Sequence, residues 1–375
     1  MIGNISELTG KCTDLIHYIA GRNLGHLNKC VANLKKFRGL SSEPVKIFSF
    51  SNTHAWLRSN FPQGDIQQYI NPEKWADTLL NTSLIIHDWR DEVRILKKKR
   101  TGPGPVIGGI YHSDLSISGQ DTDWTRKFKK QIRTISQKST DIFFHINLTQ
   151  PKEIPQLSTL YVPVPIIVRD LTLTPEQVKT RLGIPVDEPF ILVQMGGGVG
   201  KYRYLHMNEW YEKINQLQTS CRIVVAKQLI DADYPFKKHI VQAPLFENGR
   251  NLINAADLVI SKPGMGILMD CISTGTPLLA LPADTKEREV KNMMLRDLMG
   301  DNLCLADNSL SSEDLGRRIE EILDQKEQIK EVFGKIPQNG SDVIANSMKW
   351  LSGRTLDELP DVYEDILKLT PFQVK

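Results

Sequence analysis

The sequence predicts an α/β protein made of two successive parallel-sheet halves. Three observations support this. Apolar runs of strand length alternate with helix-like segments almost throughout, the pattern of parallel strands joined by crossover helices. A Pro-rich passage, Tyr161-Val-Pro-Val-Pro-Ile166, interrupts the alternation, which restarts at Phe190. Gly-rich turns then follow two strands of the second half, at Gly196–Gly200 and Lys262–Gly266.

The elements follow in order. Leu15 to Ala20 reads as the first strand, Gly21 to His26 as a tight loop, and Leu27 to Phe37 as a helix stopped near Gly39. Further strands are expected at Val45–Ser49, Leu84–His87, Pro105–Ile110 and Ile142–Asn147. The prolines of Tyr161–Ile166 cannot donate to a central ladder, so this passage reads as the connection between halves. The second half opens with a strand at Phe190–Met195. A helix at His206–Leu217, a strand at Arg222–Ala226 and a further strand near His239–Gln242 follow. Asn251–Asn254 reads as one helical turn. Asp257–Ser261 is a short apolar run suited to a buried parallel strand. After Asn339 the chain turns helical around Ile344–Leu351, and Trp350 is expected to bury against the first half. The expected division is a Rossmann-like domain over 1–165, a second over 166–340, and a helical tail over 341–375 that crosses back.

Composition agrees. A chain of 375 residues suits two domains of about 150 each. At 40 % hydrophobic and 24 % charged it is globular, with length enough for real cores. A net charge of +3 is too small to imply nucleic-acid binding. The first residues lack a basic start followed by a long apolar run, so no secretory signal is expected. No stretch reaches the roughly 18 apolar residues of a membrane span. Cys12, Cys30, Cys221, Cys271 and Cys304 are scattered without a Cys-x-x-Cys pair. They read as reduced core thiols in a cytoplasmic protein, not as a disulfide frame or a zinc site.

The most informative stretch is Asp257–Pro282, read as strand, Gly-rich turn, short helix, Gly-Thr-Pro turn and strand. The first N–H groups of its helix lack partners and suit a phosphate. Asp270, nine residues after Ser261, falls away from the face of Ile267, Leu268, Cys271 and Ile272. A carboxylate there can accept hydrogen bonds from a ribose, so the unit reads as a nucleotide site. The plainer alternative is a βαβ unit whose glycines only shape turns. The Gly196–Gly198 loop sits at the carboxyl end of a strand, where ligands bind in open α/β sheets, or is simply a flexible turn. Neither loop has the G-x-x-x-x-G-K-[ST] pattern, so ATP hydrolysis is not expected.

In the first half, Gly21–His26 joins a strand to a helix and places His26 at the helix start. A helix N-terminus favours a neutral imidazole that can act as a base. A capping or merely exposed histidine is the simpler alternative. Asp88 follows the strand Leu84–His87 at the same sheet edge and can orient the imidazole, or cap the next helix. His87, Asp91 and Glu92 compete for that role.

Together these residues resemble the glycosyltransferases of GT-B architecture, with two Rossmann-like domains facing a cleft. The likeness is to the group of the lipid II N-acetylglucosaminyltransferase, the diacylglycerol glucosyltransferases and the UDP-glycosyltransferases, with a donor domain like the family 28 C-terminal domain. The resemblance implies that His26 is the catalytic base and Asp88 its support. Gly25 and the polar loop starting at His112 fall on the acceptor side. On the donor side, Gly196, Gly197 and Gly198 match the first Gly loop, and Ser261, Gly264, Met265, Gly266 and Asp270 fall in the second. Gly275–Leu278 matches the Gly-x-Pro turn. Phe246 stands at the nucleobase loop, and Glu287 and Arg288 in the segment that touches the sugar. The chain departs from the pattern in three places. Asp270 stands where Glu is usual, Ile267 and Leu268 replace hydroxyl residues, and Arg288 and Glu289 stand near the usual Gln.

The implied activity is metal-independent, cofactor-free and inverting. It moves a hexose or N-acetylhexosamine from a UDP- or dTDP-sugar to a hydroxyl of a small molecule, a glycan or a lipid-linked acceptor. A UDP-sugar hydrolase, a 2-epimerase and a non-catalytic partner subunit are the alternatives on this scaffold. The basic runs Arg94–Arg100 and Arg126–Lys130 suit an anionic membrane surface, making the protein peripheral there, an anionic acceptor, or a solvated helix face.

Overall fold

The computed structural model describes residues 15–22, 24–155, 157–195, 203–227 and 234–374. The first sheet has seven parallel strands: β1 (Ile16–Ile19), β2 (Val45–Ser49), β3 (Asp65–Gln68), β4 (Leu84–Asp88), β5 (Val106–His112), β6 (Ile142–Ile146) and β7 (Leu160–Val164), in the order β3-β2-β1-β4-β5-β6-β7. Helices α1 (Leu24–Leu40), α2 (Ser51–Asn60), α3 (Ala76–Leu80), α4 (Arg94–Lys99) and α5 (Asp123–Ser139) connect them. The second sheet has five parallel strands: β8 (Phe190–Val193), β9 (Arg222–Ala226), β10 (Val241–Ala243), β11 (Leu258–Ser261) and β12 (Leu278–Ala280), in the order β10-β9-β8-β11-β12. Its helices are α6 (Pro175–Leu182), α7 (Met207–Gln216), α8 (Gly249–Ala255), α9 (Met265–Thr274), α10 (Lys286–Met299), α11 (Ser312–Asp324) and α12 (Lys326–Gly334). The tail forms α13 (Gly340–Leu351) and α14 (Leu359–Leu369).

Both sheets are doubly wound, and this fixes where a ligand can bind. Strand order reverses between β1 and β4 in the first sheet and between β8 and β11 in the second. At such a switch point the flanking crossovers leave to opposite faces, opening a crevice at the carboxyl ends of the strands. All four strands are buried throughout.

One expectation is corrected. The Pro-rich passage is not a connection; Leu160–Val164 is β7, paired in parallel with β6, with Pro163 opposite His145. Proline is tolerated because β7 is an edge strand. Leu160 donates to the Asp141 carbonyl and Asn147 donates to Val164, so the even-numbered residues bond β6. Tyr161 faces the other way, where its carbonyl accepts from the Tyr363 hydroxyl at 2.6 Å. Pro163 shares that outward parity, so its missing N–H costs no ladder bond.

The tail crosses back onto the first sheet. Helix α13 packs on α1, with Lys36 and Asp342 3.2 Å apart, and α14 lies against β7. Trp350 is partly buried against the core. The start of α13 lies against backbone: Gly340 donates to the Ile166 carbonyl at 3.1 Å, and a Cβ there would stand 2.2 Å from the Pro165 carbonyl oxygen. Gly340→Ala is therefore expected to cost about 1–3 kcal/mol, the range for overpacking. Chemical denaturation measures it, and an unchanged midpoint would mean that α13 has room to shift. Cys30, Cys221, Cys271 and Cys304 are buried free thiols, while Cys12 lies outside the described residues. No helix among the described residues is long and apolar enough to cross a membrane.

Candidate active site

The site is built at the two switch points, which face each other across a cleft of about 210 Å³. On the first side the chain leaves β1 at Ala20 and enters α1 at Leu24, so His26 lies in the helix's first turn. Its side chain folds over Gly21, where a Cβ would come within 2.4 Å of the His26 Cβ. Any larger residue at 21 would expel the imidazole. The neighbouring strand β4 ends in Asp88, fully buried. Trp89 then takes φ 52°, a conformation costly for an aromatic residue, and turns the chain beside His26.

The His26 Nδ1–H donates to Asp88 Oδ1 at 2.8 Å. A carboxylate can only accept, so this bond sets the tautomer and leaves Nε2 as the acceptor. Lys29 donates to the same Oδ1 at 2.9 Å, while Asp88 Oδ2 has no partner among the described residues. Burial opposes ionisation of Asp88, but the Lys29 charge and the hydrogen bond from His26 outweigh it and hold the carboxyl below its ordinary range. His112, at the end of β5, stacks on His26 with centroids 5.9 Å apart. Burial first, and then Lys291 and Lys29, push His112 well below the usual histidine range, so it is neutral.

Of the competitors, His87 is fully buried. It accepts from the Arg90 backbone at 3.2 Å, its other nitrogen lies 3.3 Å from the Ser139 carbonyl, and burial holds it down to about 4. Glu92 serves Tyr69, Arg90 and Arg22, and Asp91 does not line the cleft. Asp88 alone of the four meets His26.

On the second side, β11 ends at Ser261 and α9 begins at Met265, with Gly264 as the residue before the first turn. The helix ends at Gly275, whose φ of 71° closes the αL cap. The N-termini of α1 and α9 converge: a Cβ on Gly266 would lie 3.5 Å from the Gly25 Cα. Two helix N-termini, each with unpaired N–H groups and the positive end of a dipole, therefore face one space. Lys262 also lines that space, and burial, then Arg288, lower it to about 7.

Gly25, His26, His112, Phe246, Gly264, Met265, Gly266, Asp270, Glu287 and Arg288 all line the cleft. Asp88 stands behind His26. Ser261 does not reach the cleft: it is fully buried, and its hydroxyl donates to the Gln194 carbonyl, stitching β11 to β8. Gly196, Gly197 and Gly198 lie outside the described residues. Asp270 is buried, which raises its pKa, while Arg169 and Arg250 act in the opposite direction. Glu287 pairs with Lys291 and Arg288 with Asp284. Burial works against the Glu287 carboxylate, yet Lys291, paired with it, holds it down to about 2.

Three contributors escaped the sequence reading. Lys29 was within reach, since it lies one helical turn after His26 on the same face. Arg169 and Arg250 come to Asp270 from the inter-domain connection and from α8, and no local spacing signals that. The basic runs are partly spent on partners within the chain. Lys97 and Arg100 reach Asp141, Lys99 the Glu73 carbonyl, Arg126 Asp123, and buried Lys129 both Asp114 and Asp121. Among the described residues no group of three or more His, Cys, Asp or Glu side chains is placed to hold a metal.

Residues 206–347 match the glycosyltransferase family 28 C-terminal domain. Over 212 residues the chain is 24 % identical to the UDP-N-acetylglucosamine--N-acetylmuramyl-(pentapeptide) pyrophosphoryl-undecaprenol N-acetylglucosamine transferase of Gloeothece citriformis (strain PCC 7424). That match covers 53 % of this chain and 54 % of the relative, so it spans about half the length of the curated protein. Among solved structures, a UDP-glucosyltransferase from Polygonum tinctorium superposes with a TM-score of 0.60 at 12 % identity, covering 93 % of this chain and 98 % of that one. Arabidopsis thaliana UGT89C1, complexed with UDP, also gives 0.60 at 12 % identity, covering 94 % and 99 %. The spinosyn forosaminyltransferase SpnP gives 0.59 at 11 %, covering 90 % and 98 %. These likenesses establish the GT-B fold.

Proposed function

We propose that this chain, with its GT-B fold and its family 28 match over residues 206–347, works as a nucleotide-sugar-dependent glycosyltransferase. One observation carries the reading: a His26–Asp88 pair and the N-terminus of α9 meet in a single cleft. The nucleobase would rest against Leu245–Phe246 and the ribose hydroxyls would donate to Asp270. The diphosphate would lie over the N–H groups at Gly264–Gly266, beside Lys262.

The acceptor hydroxyl would approach from the first domain. His26 Nε2 takes its proton as the oxygen attacks the anomeric carbon. The carbon–oxygen bond to the diphosphate breaks, and the electron pair leaves with the nucleoside diphosphate. Displacement from the face opposite the leaving group inverts the anomeric centre. The charge that grows on the diphosphate meets helix N–H groups already in place, and such preorganised donors are commonly the largest catalytic contribution. The sugar is read as a hexose or N-acetylhexosamine, carried by UDP or dTDP. The acceptor is a small molecule, a glycan or a lipid-linked group. Of the basic runs, Arg94, Lys98, Lys99, Lys127 and Lys130 remain exposed for any contact with an anionic membrane.

A thermal-shift screen over UDP, dTDP, ADP and GDP tests the donor site, since a ligand that binds only the folded state raises the melting temperature. UDP or dTDP should stabilise the protein, and a screen with no response removes the reading. Incubation with UDP-sugars then separates the activities. Rapid release of free sugar without an acceptor marks a hydrolase. Binding without turnover until a second protein is added marks a partner subunit. Activity should survive EDTA, and a loss restored by magnesium or manganese would show that the diphosphate is held by a metal instead of by α9.

A further inference from the structure

Asp88 serves two cations at one oxygen. Its Oδ1 accepts from His26 Nδ1 at 2.8 Å and from Lys29 Nζ at 2.9 Å, while Oδ2 is buried without a partner among the described residues. Lys29 is 3 % exposed, so its charge is little screened by water. A histidine–carboxylate pair alone has a built-in conflict. The carboxylate that orients the ring also stabilises the imidazolium, and a ring already protonated cannot accept a proton. An ammonium on the same carboxylate oxygen relieves that conflict. It repels an imidazolium and takes up part of the Asp88 charge, yet leaves the bond that sets the tautomer.

The other groups facing His26 do not replace it. Glu287, on α10, is already ion-paired with Lys291. His112, on β5, is neutral. Lys262, before α9, and the N-terminus of α1 act in the same direction as Lys29, but neither bonds Asp88.

We propose that Lys29 is a positioning residue for His26: by sharing Asp88 Oδ1 it offsets part of the carboxylate charge that would otherwise favour an imidazolium, and it leaves Nε2 open to the acceptor hydroxyl. The inference rests on the reading of His26 as the general base. Its first test needs no substrate, so the two can fail separately. In the full chain labelled with ¹⁵N-histidine, the His26 ring signals, identified by their loss in His26→Gln, are followed against pH. Lys29→Met should move the midpoint of that titration upward by about one unit relative to the unmutated chain. Lys29→Arg, which keeps the charge, should leave it in place. If the methionine variant does not fold, Lys29→Gln gives the same reading, because it keeps a donor to Asp88 without the charge. A midpoint unmoved in the folded neutral variant overturns the proposal. Once an acceptor is in hand, the acid limb of kcat/KM should move upward by the same interval in Lys29→Met, with about a tenfold loss at pH values below it. A uniform loss across pH would mean a merely structural lysine.

Discussion

His26→Ala should lower turnover by about 10²–10⁴-fold, the range for a lost acid–base group, and leave nucleoside diphosphate affinity almost unchanged. The imidazole belongs to the first domain, and the nucleotide is read as bound by the second. The Gly21 contact and the 2.8 Å bond to Asp88 hold the ring in place, so the alanine variant loses a positioned base and little else. Asp88→Asn should give a smaller loss in the same direction, since an amide can present the wrong group to Nδ1 but leaves the ring present. Single-turnover kinetics with saturating donor, beside calorimetry with UDP, separate the two effects. Near-normal turnover in His26→Ala would falsify the base assignment and leave the donor site standing. With water as acceptor, the same variant tests the hydrolase alternative.

Asp270→Ala should weaken UDP or dTDP binding by about 1.5–3 kcal/mol, the range for hydrogen bonds to a charged group. That is roughly a 10- to 150-fold rise in Kd. The carboxylate is buried at the cleft wall with Arg169 and Arg250 as neighbouring charges. Its removal takes from Arg169 the carboxylate that acts on it and leaves Arg250 with Asp170 alone, so some stability should be lost as well. Asp270→Asn keeps the shape and separates lost recognition from lost stability. The pH dependence has a definite sign. Burial raises the pKa of Asp270, so it takes up its proton at a higher pH than an ordinary aspartate. Nucleotide affinity should therefore begin to fall at a less acidic pH than solvent-exposed carboxylates would dictate. Calorimetric affinity unchanged in both variants, with the fold intact, would remove Asp270 from the site.

Local chemistry by itself determined the elements and their alternation. Apolar runs such as Phe190–Val193 and Arg222–Ala226 must be strands buried on both faces, because only a covered parallel sheet hides so many consecutive apolar side chains. Glycines at 264 and 275 mark the limits of α9 because each is set by backbone geometry at its own position. His26 and Asp270 were legible for the same reason: each is placed by its distance along the chain from a strand end.

Only the tertiary structure decided what depends on neighbours from elsewhere in the chain. Proline bars a central strand but not an edge strand, and edge or centre is a property of the sheet; hence β7 was missed. Four polar residues near the end of β4 were equivalent in sequence. Packing sent His87 into the core and Glu92 to its arginines, leaving Asp88 to face His26. Ser261 reads in sequence as part of the donor loop, but its hydroxyl found the Gln194 carbonyl just past β8, because a buried hydroxyl takes the partner that water cannot replace. Arg169 and Arg250 bring their charges to bear on Asp270 from distant segments, and Lys29 acquires its meaning only when β4 brings Asp88 beside α1. Charge interactions depend on separation in space, and no spacing along the chain encodes that until the two sheets are folded.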